Sequence, residues 1–484
     1  MRAAAKQTSA RKSKPVKKPA TAPRPKPPLA PPSDAIHRSI QLLKDALDVL
    51  GSSMPLSEVE RIGIMINEAM TAEARNFHTP EHVFGLVDPG NPYMTLAALF
   101  HDLVYCQIDR GFTPHIQKTL EPSIDVLAGG IRVKPGVRED DRQLLLCMAI
   151  FDVKPGQTLA PFGGMNEFLS ALVMARELGG VVQEQDLALA TACIETTIPF
   201  RPRDSRGRIP AERLAERLRL ANHDLRLGLD QEKIDQAVRW AVVFANRDVA
   251  NFAEDDATRF LDNTWKLLPE SNPSLRTQGV YSIKSYRVAL QRMEGFLRSL
   301  DPATIFFQYS EAPPDNEYRQ LRTKSERNVS TGREYLGIKL LTAAILEALA
   351  EISGGDVPVS LFMGEIGAKE RGSRLEDYLP EATPPADLNV NTTVHDLLAY
   401  GRASASSFDL QNSPLSLFIY LHLGVDGLCD LLEAARKMFD GALTARAFLD
   451  ALPGEMIAVI ATACASMVFT RGETLRAYAA SRLA

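Results

Sequence analysis

The segment NFHTPEHVFGLV, residues 76–87, places His78 and His82 four positions apart. Two imidazoles at this spacing on one helix face can bind a metal ion together. Pro80 argues against one regular helix, because a proline inside a helix removes a hydrogen bond but fits the first helical position. We therefore expect Thr79 to be the N-cap, with His82 on the helix and His78 just before it. The two imidazoles should point in different directions.

A second candidate is the dipeptide His101-Asp102, which lies within the apolar stretch LAALFHDLVY and is expected mid-helix. Burying two adjacent ionisable groups is costly without a partner, and imidazole and carboxylate are ordinary ligands of divalent ions. The dipeptide alone is weak support, because His223-Asp224 and His395-Asp396 also occur. The former lies in a polar context and the latter opens an amphipathic helix, so we interpret both as structural.

Four segments carry these residues and their neighbours in the order FHTPEH, FHDLVY, NEFLSA and NRDVA. In this order they resemble the HD-domain superfamily of metal-dependent phosphohydrolases. The resemblance is closest to a predicted phosphohydrolase branch with the motifs YHxxxH, FHDxxY, NExxSA and a distal Asp, distantly similar to cyclic-nucleotide phosphodiesterases. It covers roughly residues 57–260 and implies an all-α HD-domain helical bundle.

The resemblance implies a metal centre that holds one or two divalent ions (Mn, Mg, Zn or Fe). The implied metal ligands are His82, His101, Asp102 and Asp248. Asp102 would bridge to a second ion where two are present. The assignment of Asp248 competes with Asp255 and Asp256, which lie close by in the sequence.

Two further residues have implied catalytic roles. His78 matches the histidine that donates a proton to the leaving oxygen, which suits imidazole because it titrates near neutral pH. Glu167, the Glu of NEFLSA, would orient the attacking water. Where relatives often keep a further histidine, this chain has Glu195, which is either a substitute ligand or a helix-end carboxylate without a role.

Phosphate-binding groups are harder to place from the sequence. The loop RPRDSRGR supplies Arg201 and Arg203, and the segment YSIKSYR supplies Lys284 and Arg287. Charge runs of this kind are usually solvated loops, so all four are weak substrate-binding candidates.

The expected function is metal-dependent hydrolysis of a phosphoester by activated water, with a nucleotide or cyclic nucleotide as the substrate class. Two alternatives stay open. A catalytically degenerate HD domain would act as a signalling or scaffold module, and a di-iron HD oxygenase would use the same ligands. Familiar phosphate-loop, dinucleotide-binding and HExxH motifs are absent from the sequence.

The elements that must position these residues are helices, since helical periodicity dominates and strand-like alternation is scarce. We predict an HD-type domain over residues 34–300, with an insertion at about 107–164, and an α-helical C-terminal domain of unknown role over 301–484. Helices are expected to start at Ser57, at Asn91-Pro92 and near Asp230.

Composition sets the remaining expectations. Residues 1–33 contain nine Lys or Arg, eight Pro and no acidic residue, so we predict a disordered basic tail that contacts acidic surfaces or nucleic acid. The net charge of the whole chain is −5, so the residues after the tail carry about −14.

Five scattered cysteines and the lack of a signal sequence or obvious membrane span favour a cytoplasmic protein.

Overall fold

The computed structural model of the chain describes residues 34–127, 130–277, 280–364, 372–382 and 384–484. The fold is all-α, as predicted, with 66% helix and 3% strand. The predicted disordered basic tail, residues 1–33, lies outside the described residues.

The N-terminal half is built from short and medium helices around a small sheet. In chain order they are α1 (Ala35–Val49), α2 (Leu56–Met70), α3 (Pro80–Leu86), α4 (Pro92–Phe100), α5 (Cys106–Asp109), α6 (Pro114–Leu120), α7 (Arg142–Phe151), α8 (Met165–Leu178), α9 (Glu184–Thr196), α10 (Pro210–Leu225) and α11 (Gln231–Asp248). The strands are β1 (Ile124–Leu127), β2 (Gly130–Val133) and β3 (Thr158–Leu159).

The starts of the helices that present the candidate site follow from their local sequence. Thr79 is the N-cap of α3 and Pro80 occupies its first turn, so His78 lies outside the helix, as predicted. The Asn91 side chain accepts hydrogen bonds from two backbone N–H groups at the start of α4. The prediction of a cap at Ser57 is wrong by two residues, because α2 begins at Leu56 directly after the extended Pro55.

The segment predicted as an insertion forms α6, α7 and the three-stranded antiparallel sheet. Ile124 pairs with Val133 across β1 and β2, and Ile131 pairs with Leu159 across β2 and β3. These four side chains are buried in the same hydrophobic core as the surrounding helices. The segment therefore enlarges the N-terminal domain.

The C-terminal half is organised around one long helix, α14. Its helices are α12 (Ala257–Ser271), α13 (Ile283–Ser299), α14 (Asp315–Ser353), α15 (Val359–Met363), α16 (Thr392–Tyr400), α17 (Pro414–Phe439), α18 (Ala445–Asp450), α19 (Gly454–Met467) and α20 (Gly472–Leu483). Short 3₁₀ helices cover Ala250–Ala253, Pro273–Arg276, Pro302–Thr304, Leu375–Tyr378 and Phe469–Arg471.

Two hydrophobic cores divide the chain. Apart from Phe307, the first core extends from Leu43 to Phe244 and the second from Phe252 to Ala479. The cores separate before residue 257, rather than at the predicted boundary of 300, because α12 and α13 pack on α14. At Gly332 of α14 a Cβ would come within 2.9 Å of side chains from both helices, so glycine permits this close approach.

Among the described residues, α17 is long and apolar enough to cross a membrane by length and composition. Half of its most apolar window is buried within the protein. Gly424 breaks the helix with φ 62°, and the Val425 N–H donates to the Asn389 carbonyl of a neighbouring loop. These contacts are those of a core helix, so α17 is only weak support for a membrane association.

Candidate metal centre

The His101-Asp102 pair lies at the carboxyl end of α4, not mid-helix as expected. The helix ends at Phe100, and His101 is its C-cap with helical dihedral angles. The next turn tightens, since the Leu103 N–H donates to the Phe100 carbonyl at 2.9 Å. Ending the helix here places both side chains at the edge of the first core.

Two residues of NEFLSA hold the segment that follows this turn. Ser170 Oγ accepts a hydrogen bond from the Val104 N–H at 2.9 Å, and Asn166 Oδ1 accepts one from the Cys106 N–H at 3.3 Å. Ser170 is fully buried. The motif on α8 therefore satisfies backbone donors that the end of α4 would otherwise leave buried and unpaired.

Arg75, which the sequence reasoning missed, binds the same turn from the other side. Its guanidinium donates to the Asp102 carbonyl oxygen at 2.7 Å and to the Asp109 carboxylate at 2.6 Å. The side chain is buried, so these bonds are shielded from water. Arg75 thus fixes the backbone from which the Asp102 carboxylate projects.

Three of the predicted ligands, from α3 and the end of α4, lie close together, and Asp248 at the end of α11 contacts the two histidines among them. His82, His101 and Asp102 offer ligand atoms that all lie within 4.8 Å of one another. Asp248 Oδ1 lies 3.1 Å from His82 Nε2 and 3.6 Å from His101 Nε2. Ligand atoms around an ion with bonds of about 2.1 Å are separated by about 3.0–3.5 Å, so this spacing fits a metal ion.

The imidazole lone pairs support the same interpretation. His101 Nδ1 lies 3.0 Å from the Ala98 carbonyl oxygen, which can only accept, so Nδ1 carries the proton and Nε2 is free to bind a metal. The Nε2 atoms of His82 and His101 are buried and make no hydrogen bond. Asp102 Oδ2 is only 2.9 Å from His101 Nε2, but its direction does not satisfy hydrogen-bond geometry. The donor set therefore fits a cation better than a network of protein hydrogen bonds.

The two histidines and two aspartates of the cluster shift one another's pKa values strongly. Burial alone would lower the pKa of His82, but Asp102 and Asp248 raise it to about 9. Burial would raise the pKa of Asp248, yet the two histidines hold it at about 2. Without a metal ion, the two carboxylates are balanced by protonated imidazoles, since Asp102 and Asp248 raise the pKa of His101 as well. A divalent cation would take the place of those two protons, because it supplies the same positive charge to the same four side chains.

His78 stands apart from the ligand set and has its own partner, Glu270. His78 Nδ1 lies 2.8 Å from Glu270 Oε2, and Glu270 Oε1 accepts the backbone N–H groups of Asn76, Phe77 and His78. Burial would raise the pKa of this carboxyl group, but the hydrogen bond from His78 and the backbone donors lower it. No local pattern could reveal Glu270, which comes from α12, 192 residues after His78.

Glu167 lies on the first turn of α8, beside the cluster. Burial raises its pKa to about 7, and the charges of Asp102 and Asp248 act in the same direction. Arg201 acts in the opposite direction. The residue is therefore close enough to the centre to respond to it electrostatically, and its carboxyl group titrates near neutral pH.

Glu195 forms ion pairs with two arginines. The sequence predicted either a substitute metal ligand or a helix-end carboxylate without a role, and neither alternative included these ion pairs. Glu195 Oε1 lies 2.5 Å from Arg201 Nη1 and 2.5 Å from Arg217 Nη2, and the side chain is fully buried. Burial would raise the pKa of Glu195, but the two guanidinium groups lower it. Glu195 thus has a structural role, and its oxygens are directed to arginines. Arg201 is correspondingly occupied by Glu195 and is withdrawn as a phosphate ligand.

The other substrate-binding candidates lie in different surroundings. Arg287 is buried in the second core, where Glu347 binds its guanidinium at 2.6 and 2.9 Å, so we withdraw it as well. Lys284 is exposed at the start of α13. Arg203 is exposed and donates to the Gly207 carbonyl of its own loop.

An open cleft of about 450 Å³ borders the cluster at His82 and Asp248. Its lining includes two cationic side chains, Arg247 and Lys266, that the sequence reasoning did not single out. Arg247 is partly exposed and lies 3.1 Å from Asp88. Lys266 is exposed and has no ion-pair partner within the described ranges. The lining also includes the carboxylates of Glu81 and Glu254, so the cleft carries both signs of charge beside the candidate metal ligands.

No protein-family model, no curated protein and no solved structure matches this chain.

Proposed function

We propose that the protein is a divalent-metal-dependent hydrolase of a phosphoester, with a nucleotide or cyclic nucleotide as the substrate class. One observation carries the proposal. The Nε2 atoms of His82 and His101 are buried without a hydrogen bond and lie within 3.6 Å of the carboxylates of Asp102 and Asp248. The order of the four sequence motifs supports the same reaction class.

A divalent ion bound here would polarise the phosphoryl group and lower the pKa of water toward neutrality. His78 donates a proton to the departing oxygen. Its Nδ1 is held by Glu270, which leaves Nε2 for the substrate. Glu167, whose pKa of about 7 allows it to hold or release a proton near neutral pH, orients the attacking water.

The cleft beside His82 and Asp248 receives the substrate in this proposal. Lys266 lines the cleft and forms an ion pair with a phosphate oxygen of the substrate that does not react. Arg247, at the end of α11, provides a second positive charge for the same phosphate group. Asn251 and Asn263 line the same cleft and offer amide groups to the rest of the substrate. These four residues replace Arg201 and Arg287 as the substrate-binding candidates.

The scaffold alternative differs from this proposal in what it requires of His78, and the oxygenase differs in the substrate that it consumes. A scaffold built on a degenerate HD domain needs no proton donor, whereas here a buried carboxylate and three backbone N–H groups position one. A di-iron oxygenase would use the same four ligands but would consume oxygen. The His78–Glu270 pair therefore favours hydrolysis over the scaffold alternative, and oxygen consumption distinguishes hydrolysis from the oxygenase.

A phosphoester panel tests the proposal. The full-length protein, loaded in turn with Mn²⁺, Mg²⁺, Zn²⁺ or Fe²⁺, is assayed for phosphate or nucleoside release and for oxygen uptake. We expect the rate of hydrolysis to fall by at least about 100-fold in His101→Ala. His223→Ala should keep the wild-type rate, because His223 belongs to an exposed His-Asp pair on the surface. Metal binding without hydrolysis of any phosphoester would support the scaffold alternative, and iron-dependent oxygen uptake would support the oxygenase.

A further inference from the structure

The second core contains a buried cluster in which positive charge exceeds negative charge. Lys339 Nζ lies 3.0 Å from Asp409 Oδ2, and Arg402 Nη1 lies 3.3 Å from the same oxygen. All three residues are buried. Neither cation has a second carboxylate in ion-pair range within the described part of the chain. The Trp265 ring lies 4.4 Å from the Arg402 guanidinium group and compensates part of its charge. Two full positive charges still share one full negative charge in a region of low dielectric constant, which is costly without a further negative charge.

A cavity of about 30 Å³ lies against this cluster. Its lining includes Lys339, Asp409 and Tyr286. The Tyr286 side chain is buried, and its hydroxyl group makes no hydrogen bond. A water molecule needs at least about 10–15 Å³ measured in this way, so the space holds one or two atoms of that size. The cavity is lined mostly by apolar side chains, and Tyr286, with its unpaired hydroxyl group, lines it together with Lys339.

The amino end of α17 lines the same cavity. The N-cap Ser413 makes no side-chain cap hydrogen bond, so the N–H groups of Leu415 and Ser416 lack the usual partner. Ser413 Oγ instead accepts from Lys339 Nζ at 3.0 Å, which leaves the serine proton free to donate. The helix dipole adds a partial positive charge at this end.

We infer that the C-terminal domain has a buried site for a small inorganic monovalent anion of chloride size. The anion is bound by Lys339 Nζ, the Tyr286 hydroxyl, the Ser413 hydroxyl and the N-terminal N–H groups of α17. It balances the second buried cation of the Lys339–Arg402–Asp409 cluster. The cavity volume excludes a nucleotide or other large organic anion, so this site is separate from the proposed substrate cleft.

The test measures thermal unfolding of the full-length protein in sodium chloride and in sodium gluconate at equal ionic strength. Gluconate is too large for the cavity. The decisive quantity is the melting temperature in chloride minus that in gluconate, compared between wild type and Tyr286→Phe. We expect this difference to be larger in wild type by roughly 2–4 °C, because an ion that binds only the folded state stabilises it.

Tyr478→Phe is the matched control, since Tyr478 also has a buried hydroxyl group without a hydrogen bond but does not line this cavity. It should keep the wild-type chloride effect. Crystals grown in bromide should show an anomalous peak beside Lys339 Nζ that is absent in Tyr286→Phe. A chloride effect that is equal in wild type and Tyr286→Phe, together with no bromide peak, would mean that the cavity holds water only and would overturn the inference.

Discussion

Three His-Asp dipeptides occur in this chain, and burial separates one of them from the other two. His223 and His395 each contact the aspartate that follows, at 2.9 and 3.0 Å, in exposed or half-exposed positions. His101 is 1% exposed, and its Nδ1 donates to the carbonyl of Ala98. Of the three dipeptides, His101-Asp102 is the one whose imidazole has a buried Nε2 atom without a hydrogen bond, beside the carboxylates of Asp102 and Asp248.

Asp248 is the candidate metal ligand that the sequence distinguished least well from its neighbours. Asp255, one of the competing aspartates, provides a matched control. Asp248→Asn should weaken binding of Mn²⁺ by at least about 10–100-fold, because it removes a charged ligand. Asp255→Asn should not change it, since Asp255 is exposed and pairs with Lys324. Equilibrium dialysis or calorimetry measures both. Equal affinities in the two variants would exclude Asp248 from the site.

The proton-donor role of His78 predicts a dependence on the leaving group. His78→Asn should reduce kcat by about 10²–10⁴-fold for an alkyl phosphoester, with unchanged metal content. Glu270→Gln should give a smaller loss of the same kind, because it only positions the imidazole. A p-nitrophenyl ester needs little protonation of its leaving group, so both variants should recover most activity on it. Equal losses on the two substrates would contradict the role.

Helix starts near the site were predictable because they depend on local rules. Pro80 and Asn91 act on residues within one turn, and their positions follow directly from the sequence. The partners Arg75 and Glu270 were not predictable, since they meet the site through tertiary packing. Glu195 illustrates the same limit: its helix was evident, but its two arginine partners depend on how α9, α10 and the intervening loop pack.

Glu195 links α9 to α10 and to the loop between them through its ion pairs, so its substitution should lower the stability of the fold. Glu195→Gln should lower the free energy of unfolding at pH 7 by about 3 kcal/mol, because two arginines lose their buried carboxylate. The pKa of Glu195 is below its ordinary value of 4.5, so its contribution is present above that value and lost as pH falls through the lowered pKa.

The stability difference between wild type and Glu195→Gln should therefore shrink as the pH is lowered below 4.5. Urea unfolding at neutral and acidic pH measures it. A difference that stays constant across this range would show that the charge of Glu195 does not stabilise the fold.

At the scale of the whole molecule, the candidate centre lies where the two hydrophobic cores meet. The four candidate metal ligands come from the N-terminal part of the chain, whereas Glu270 belongs to α12, which packs in the second core. The all-α fold was predicted correctly from periodicity. The two hydrophobic cores separate between Phe244 and Phe252, which the sequence did not reveal because periodicity does not show which core an amphipathic helix faces.

We predict that His82, His101, Asp102 and Asp248 bind a divalent ion. The most direct test is elemental analysis of purified wild type, His101→Ala and His223→Ala after incubation with Mn²⁺, Zn²⁺ or Fe²⁺ and removal of free metal. We predict one or two ions per chain in wild type and in His223→Ala, and at least about tenfold less in His101→Ala. A wild-type protein that retains none of these metals, or equal retention by His101→Ala, would show that these side chains do not form a metal site.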